Sequence, residues 1–213
     1  MNPVIPSPLY SIVDVESCAR AGWAPRDLAR AHLSGGVRLL QLRAKTLDSG
    51  PFLEMAYGIA EDAQRAGATF IVNDRADLAV LSGADGVHVG QDDLSPADVR
   101  RVTGEAAVVG LSTHTPEQIA LAVRAPISYF AIGPVFATAT KTSGHAAVGE
   151  QGVRFAAAQA ALAGLPVVAI GGITLTTAAR IIEAGAAAVA VISDLLTADP
   201  EAQVRAYLRC LVG

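Results

Sequence analysis

Residues 70–93 read FIVNDRADLAVLSGADGVHVGQDD, two short apolar runs of β type, FIV and GVHVG, separated by a helical stretch. Each run stops abruptly in acid: Asp74 follows the first, Asp92 and Asp93 the second. Gly83 and Ala84 stand between the helical stretch and the second run, where a left-handed helix terminus is wanted before the chain re-enters a strand. The stretch is therefore one strand–helix–strand unit with carboxylates placed alike after two successive strands.

The same unit recurs on both sides. Strand-like runs fall at 9–14, 39–44, 69–74, 86–90, 108–113, 129–135, 167–172 and 188–194. Between them lie stretches such as APRDLARAHL, FLEMAYGIAEDAQRA and TTAARIIEA, whose apolar residues repeat at i, i+3, i+4. Gly36, Gly67, Gly104, Gly164 and Gly185 mark further joints of the kind seen at Gly83. Near-continuous apolar strands alternating with helices imply a parallel sheet covered by helices. An open doubly wound sheet is the alternative, but eight strands in 213 residues favour closure into a single-domain α/β (β/α)8 TIM barrel spanning 1–213.

Composition bounds the rest. Hydrophobic residues make up 52% of the chain and charged ones 17%, with a mean hydropathy of +0.41, enough for a sizeable core. Gly, Asp or Arg interrupts every apolar run, so no membrane span is expected, and MNPVIPSPLY has neither the basic nor the apolar part of a signal peptide. A cytoplasmic location is the expectation. A net charge of −4 argues against a nucleic-acid partner. Cys18 and Cys210 have no metal-ligand spacing and are expected to be packing residues. Homo-oligomerisation is compatible with the sequence but not specified by it.

In a parallel barrel the active site lies at the C-terminal ends of the strands. Those ends supply Asp14; Gln41, Arg43 and Lys45; Asn73 and Asp74; Gln91, Asp92 and Asp93. The later ends add Ser112, Thr113 and His114; Thr138, Thr140 and Lys141; Gly171 and Gly172; and Ser193. Arg43 and Lys45, two residues apart, point the same way if the strand continues, and with Lys141 from the long segment 136–152 they make an anion site. Asp74 and the Asp92/Asp93 pair come from neighbouring strands, and hard carboxylate oxygens beside a phosphate suit Mg2+. Helix capping is the other reading of these aspartates. Spacing alone does not choose between Asp92 and Asp93. The turns after strands seven and eight, with Gly171, Gly172 and Ser193, fit a second phosphate held by backbone N–H groups and a helix dipole. His88, inside a strand, reads as a satisfied or filler histidine rather than a catalytic one; His114, at a strand end, suits proton transfer or substrate contact equally. Small phosphorylated molecules are the expected partners, and a diphosphate leaving group displaced by a phosphorylated acceptor would use both anion sites.

With these residues in place the chain resembles the thiamine-phosphate synthase family. The resemblance runs through QLRAK, VNDRADLA, GADGVHVGQDD, GLSTHT, GPVFATATK, AIGGI and VISDLL, in family order. It implies a transferase that joins a hydroxymethylpyrimidine diphosphate to a thiazole phosphate with loss of pyrophosphate. It further implies that Gln41, Arg43, Lys45, Asn73, Ser112 and Lys141 hold the pyrimidine diphosphate, with Arg43, Lys45, Ser112 and Lys141 acting in catalysis. Asp74 and Asp93 would bind Mg2+; Thr138, Thr140, Gly172, Ile192 and Ser193 would hold the thiazole phosphate. Ala44, where the family usually has an acid, and Ala137, where proline is common, depart from the pattern without removing any of these groups. A related thiazole tautomerase, in which a histidine at the place of His114 moves the proton, is one alternative; a non-catalytic sensor of phosphorylated ligands is another.

Overall fold

The computed structural model of the chain describes residues 4–137 and 146–212. Eight parallel strands close into a barrel in sequence order, β8 pairing back onto β1. The elements are β1 (Leu9–Asp14), α1 (Val15–Ala21), α2 (Pro25–Gly35), β2 (Leu39–Arg43), α3 (Ser49–Arg65), β3 (Thr69–Asn73) and α4 (Ala76–Ser82). They continue with β4 (Gly86–Val89), α5 (Pro96–Thr103), β5 (Val108–Thr113), α6 (Pro116–Ala122) and β6 (Tyr129–Ile132). The chain closes through α7 (Gly149–Ala163), β7 (Val167–Ile170), α8 (Leu175–Glu183), β8 (Ala188–Val191), a 3-10 turn at Ser193–Leu195 and α9 (Pro200–Val212).

The last three strands end earlier than the apolar runs suggest, each for a local reason. Pro134 follows β6 and has no N–H for the ladder. Gly171 takes φ 105° after β7, and Ser193 starts the 3-10 turn after β8. Helix α1 is an element the periodicity did not predict. Asp14 caps its N-terminus by accepting the Ser17 N–H at 2.9 Å, and Gly22 ends it in the left-handed region.

Period-2 alternation sorts the strand residues into two cores. Leu40, Leu42, Phe70, Val72, Val87, Val89, Phe130 and Val189 face outward into the layer shared with the helices. Leu39, Ile71, Tyr10, Ile12, Tyr129, Ala131, Val168 and Ala190 face inward and fill the barrel. Each large side chain buried in these layers contributes about 1.5–3 kcal/mol of apolar transfer. The interior is uneven: bulky Tyr10 and Tyr129 stack edge to face at 6.1 Å, whereas β8 contributes only alanines. Cys18 is buried as expected, and burial and neighbouring carboxylates push its thiol up to about 12; Cys210 is exposed instead, and both are free thiols. Among the described residues no helix is long and apolar enough to cross a membrane.

One buried group makes stability depend on pH. His32 of α2 is fully buried, with Nδ1 2.7 Å from Ser11 Oγ, and burial pushes its imidazole down to about 4. The unfolded chain takes up that proton near 6.5, so between pH 6.5 and 4 it binds more protons than the native state. Stability is therefore full above pH 6.5 and falls by about 3 kcal/mol as pH drops through that window. Urea titrations of wild type and His32→Gln at pH 7, 5 and 4 check this. The variant should lack this part of the slope, and equal slopes would remove His32 as the cause.

Candidate active site

The mouth at the C-terminal strand ends is a cavity lined by residues from most of the strands, Gln41, Arg43, Asn73, Ser112, His114, Gly172, Ile192 and Ser193 among them. Seven of those eight belong to the expected substrate-holding set; His114 is the eighth. Thr138, Thr140 and Lys141 lie outside the described residues, as does His145.

On the side of β1 to β4 the cations are held by acids. Arg43 donates through Nη1 to Asp14 Oδ2, its register partner on β1, and the Asp14 side chain is only 2% exposed. Asp14 thus caps α1 with one oxygen and fixes the guanidinium with the other. Strand β2 ends at Arg43, so Lys45 stands on the following loop rather than on a continued strand. Glu16 pins that loop, accepting the N–H groups of Lys45 at 2.8 Å and Thr46 at 3.0 Å. Lys45 Nζ donates to Asp74 Oδ2.

Asp74 is held in a backbone conformation that non-glycine residues seldom adopt. Its φ is 63°, and it is the only non-glycine residue among those described with a positive φ. Its N–H donates to His88 O at 2.8 Å, while the Arg75 N–H reaches back to Asn73 O at 2.7 Å. Strain of this kind collects at functional sites. Burial pushes the Asp74 carboxyl above the usual range; Lys45 pulls it down and Asp93, within hydrogen-bonding reach, pushes it up again. Asp93 is turned inward by the Gly90 N–H, which donates to its Oδ2 at 2.7 Å, while Asp92 is exposed.

Two carboxylates crowded together and partly desolvated are a donor set that a hard divalent cation would relieve, so the residues present fit Mg2+. Among the described residues no group of three or more His, Cys, Asp or Glu side chains gathers to hold a metal, so the remaining ligands would be water and phosphate oxygens.

On the far side, Gly171 and Gly172 turn the chain after β7 with φ 105° and 64°. A Cβ on Gly172 would lie 2.7 Å from Ala137 O, and one on Gly171 2.7 Å from Pro134 Cα. Glycine is therefore required by the close approach of the chain's own 134–137 segment, the root of the long loop after β6. At the start of α8, Leu175 N–H donates to Asp194 Oδ2 at 3.0 Å and Thr174 N–H, at the cap, to Thr177 Oγ1 at 3.0 Å. Asp194 also accepts from Tyr207 OH at 2.6 Å, which fixes the turn carrying Ser193.

Sequence reasoning passed over the floor of the cavity. Gln41 Nε2 donates to Tyr10 OH at 2.7 Å, Tyr10 OH lies 3.0 Å from Tyr129 OH, and Tyr129 OH lies 2.9 Å from His88 Nδ1. His88 Nε2 is 2.9 Å from Ser112 Oγ. His88 is thus a satisfied histidine, as expected, and it links a polar chain that the sequence reading did not foresee; the inward parity of Tyr10, His88 and Tyr129 was the available signal. His114 Nδ1 is 2.6 Å from Gly133 O, so this nitrogen carries the proton. The Thr113 hydroxyl faces outward and is spent on Ala131 O at 2.8 Å.

Fold and mouth together define the class, a (β/α)8-barrel enzyme whose site lies at the C-terminal strand ends. The family model described as thiamine monophosphate synthase matches residues 9–195, and the chain belongs to that family, a family of transferases. It is 43% identical over 208 residues to a thiamine-phosphate synthase of Koribacter versatilis, covering 95% of each chain. It is 43% identical over 198 residues to one of Thermus thermophilus, covering 91% of this chain and 94% of the other. A solved thiamine phosphate pyrophosphorylase from Pyrococcus furiosus superposes with a TM-score of 0.86 at 25% identity, covering 96% of this chain and 95% of that one.

Proposed function

We propose that this enzyme is a thiamine-phosphate synthase. It joins 4-amino-2-methyl-5-hydroxymethylpyrimidine diphosphate to 4-methyl-5-(2-phosphooxyethyl)thiazole and releases pyrophosphate. The observation that supports the reading is the placing of two separate sets of candidate anion ligands at the C-terminal strand ends, Arg43, Gly172, Ile192 and Ser193 lining the cavity itself. Arg43, Lys45, Asp74 and Asp93 stand at one; Gly172, Ile192 and Ser193 stand at the other.

In this reading Asp74 and Asp93 hold Mg2+, whose positive charge helps neutralise the diphosphate. Arg43, fixed by Asp14, and Lys45, a half-exposed cation that would exchange Asp74 for a phosphate oxygen, take up the charge growing on the departing group, together with Lys141. The C–O bond to the diphosphate breaks first, and its electron pair leaves with pyrophosphate. The aminopyrimidine carries the resulting methylene cation until the thiazole nitrogen lone pair closes the C–N bond. No proton is removed at that bond, so no general base is required, and the protein's share is positioning and electrostatics. Gly172, Ile192 and Ser193, with Thr138 and Thr140, hold the thiazole phosphate. The tautomerase alternative would use His114, which does line the mouth, but it leaves the paired carboxylates at Asp74 and Asp93 without a task.

Incubating the purified protein with both phosphorylated substrates tests the proposal. Thiamine phosphate and pyrophosphate should appear in equal amounts with Mg2+ and fall to background with EDTA. No product in the presence of metal would overturn the assignment. Product that survives EDTA would keep the activity and remove the metal.

A further inference from the structure

The polar chain under the cavity links two residues to which the reaction above gives a task, Gln41 and Ser112, through three to which it gives none. It runs Gln41, Tyr10, Tyr129, His88, Ser112, crossing the barrel interior between β2, β1, β6, β4 and β5. All but Ser112 are at most 8% exposed. Burial pushes both phenols well above their ordinary range, so each remains a hydroxyl with one hydrogen to give.

The chain exists because position 110 has no side chain. A Cβ on Gly110 would lie 2.3 Å from Tyr129 Cζ and 2.4 Å from both His88 Nδ1 and Tyr129 OH. Glycine inside a strand is unfavourable unless something must approach closely. Here the approaching groups are the two central links.

Proton bookkeeping allows a buried chain of this kind two complementary orders, because an unmatched donor or acceptor in a dry interior is costly. With the Gln41 amide nitrogen on Tyr10, the Tyr10 hydrogen goes to Tyr129 and the Tyr129 hydrogen to His88 Nδ1. The His88 hydrogen then sits on Nε2 and is donated to Ser112 Oγ. That order leaves the Gln41 carbonyl for the cavity as an acceptor and frees the Ser112 hydrogen as a donor. The reverse order would present an amide N–H and a serine lone pair instead. The assigned orientation of the Gln41 amide, Nε2 toward Tyr10, corresponds to the first order, and the tautomer of His88 distinguishes the two.

We propose that Tyr10, Tyr129 and His88 are positioning residues that set the polarity of the cavity floor, making Gln41 an acceptor and Ser112 a donor. Such a floor takes a heteroaromatic ring bearing an amine and an unprotonated ring nitrogen. It rejects the oxo analogue, which carries a carbonyl in place of the amine and a protonated ring nitrogen. The choice of the aminopyrimidine as that ring rests on the proposed synthase reaction; the polarity of the chain does not.

Two measurements test it. In 15N NMR of the ligand-free wild-type protein, with His88 assigned by its loss in His88→Gln, the ring should be the neutral tautomer protonated at Nε2 only. A ring protonated at Nδ1, alone or with Nε2, would overturn the proposal, and this result is readable whether or not the protein makes thiamine phosphate. In kinetics, Tyr129→Phe, which removes both hydrogen bonds of the central hydroxyl, should raise KM for the pyrimidine diphosphate about tenfold, the equivalent of one substrate hydrogen bond no longer held in order, while KM for the thiazole phosphate stays within about twofold. It should also narrow the preference for the amine over the oxo analogue, because a cut chain no longer holds one order. Equal change in both KM values, or an unchanged preference, would overturn it. Tyr10→Phe cuts the chain at its other hydroxyl and gives the same reading if Tyr129→Phe does not fold.

Discussion

Asp93→Ala is expected to lower kcat/KM by at least about a hundredfold, while Asp92→Ala stays within about threefold of wild type. The adjacent carboxylates have the same chemistry and differ only in where the turn after β4 sends them. The Gly90 N–H draws Asp93 inward at 2.7 Å and sets it beside Asp74. Asp92 is exposed, and a solvated carboxylate contributes little to a site it does not face.

Thermal melts give a second readout that does not depend on turnover. Mg2+ should raise the Tm of wild type and Asp92→Ala, because a cation that binds the native pair and not the unfolded chain stabilises by mass action. The same titration should leave Asp93→Ala unmoved. The effect should be largest near neutral pH. The Asp74 carboxyl, pushed up by burial and by Asp93, opposes folding once it ionises, and a bound cation removes that penalty. Equal losses in the two variants, in activity or in Mg2+ response, would mean that the wrong acid had been assigned.

How far the site could be read in advance follows from which structural rule places each residue. Parity within a strand is local, so Gln41 and Arg43, Asn73, and Ser112 could be placed on the mouth side directly from LLQLR, TFIVN and VVGLST. Register between strands is not local. That Asp14 stands level with Arg43, and Asn73 with His88, depends on the stagger of the closed barrel, which no short stretch encodes. The double duty of Asp14 was therefore invisible, and so was the meeting of Tyr10 with Tyr129, 119 residues apart. Lys45 lies at the expected end of the barrel, but the condition that the strand continue to it fails: the strand stops two residues before it, and Glu16 from α1 sets the loop that carries it. The glycine pair after β7 was legible as a close approach, but what approaches is the chain's own 134–137 segment.

Arg43 carries the second large expected effect, and two kinds of loss can be separated there. Arg43→Ala removes the basic partner of Asp14, a side chain 2% exposed. An ion stranded in that way costs about 3–5 kcal/mol, so the single variant should be markedly less stable as well as inactive. Asp14→Asn/Arg43→Ala should recover most of the stability, because the amide oxygen can still accept the Ser17 N–H and no buried charge remains. Activity should not return with it. Without the guanidinium the diphosphate loses a charge-assisted fork, and kcat/KM should stay down by about 10²–10³. Asp14→Asn alone should fold and keep its helix cap, losing about tenfold in activity because Arg43 is present but no longer held in one direction. Urea titrations and steady-state kinetics on the three variants read the two quantities independently. A double variant as unstable as Arg43→Ala would show that the buried carboxylate is not the source of the instability. A double variant with wild-type turnover would remove Arg43 from the diphosphate site, and with it the division of the mouth into two anion-holding ends.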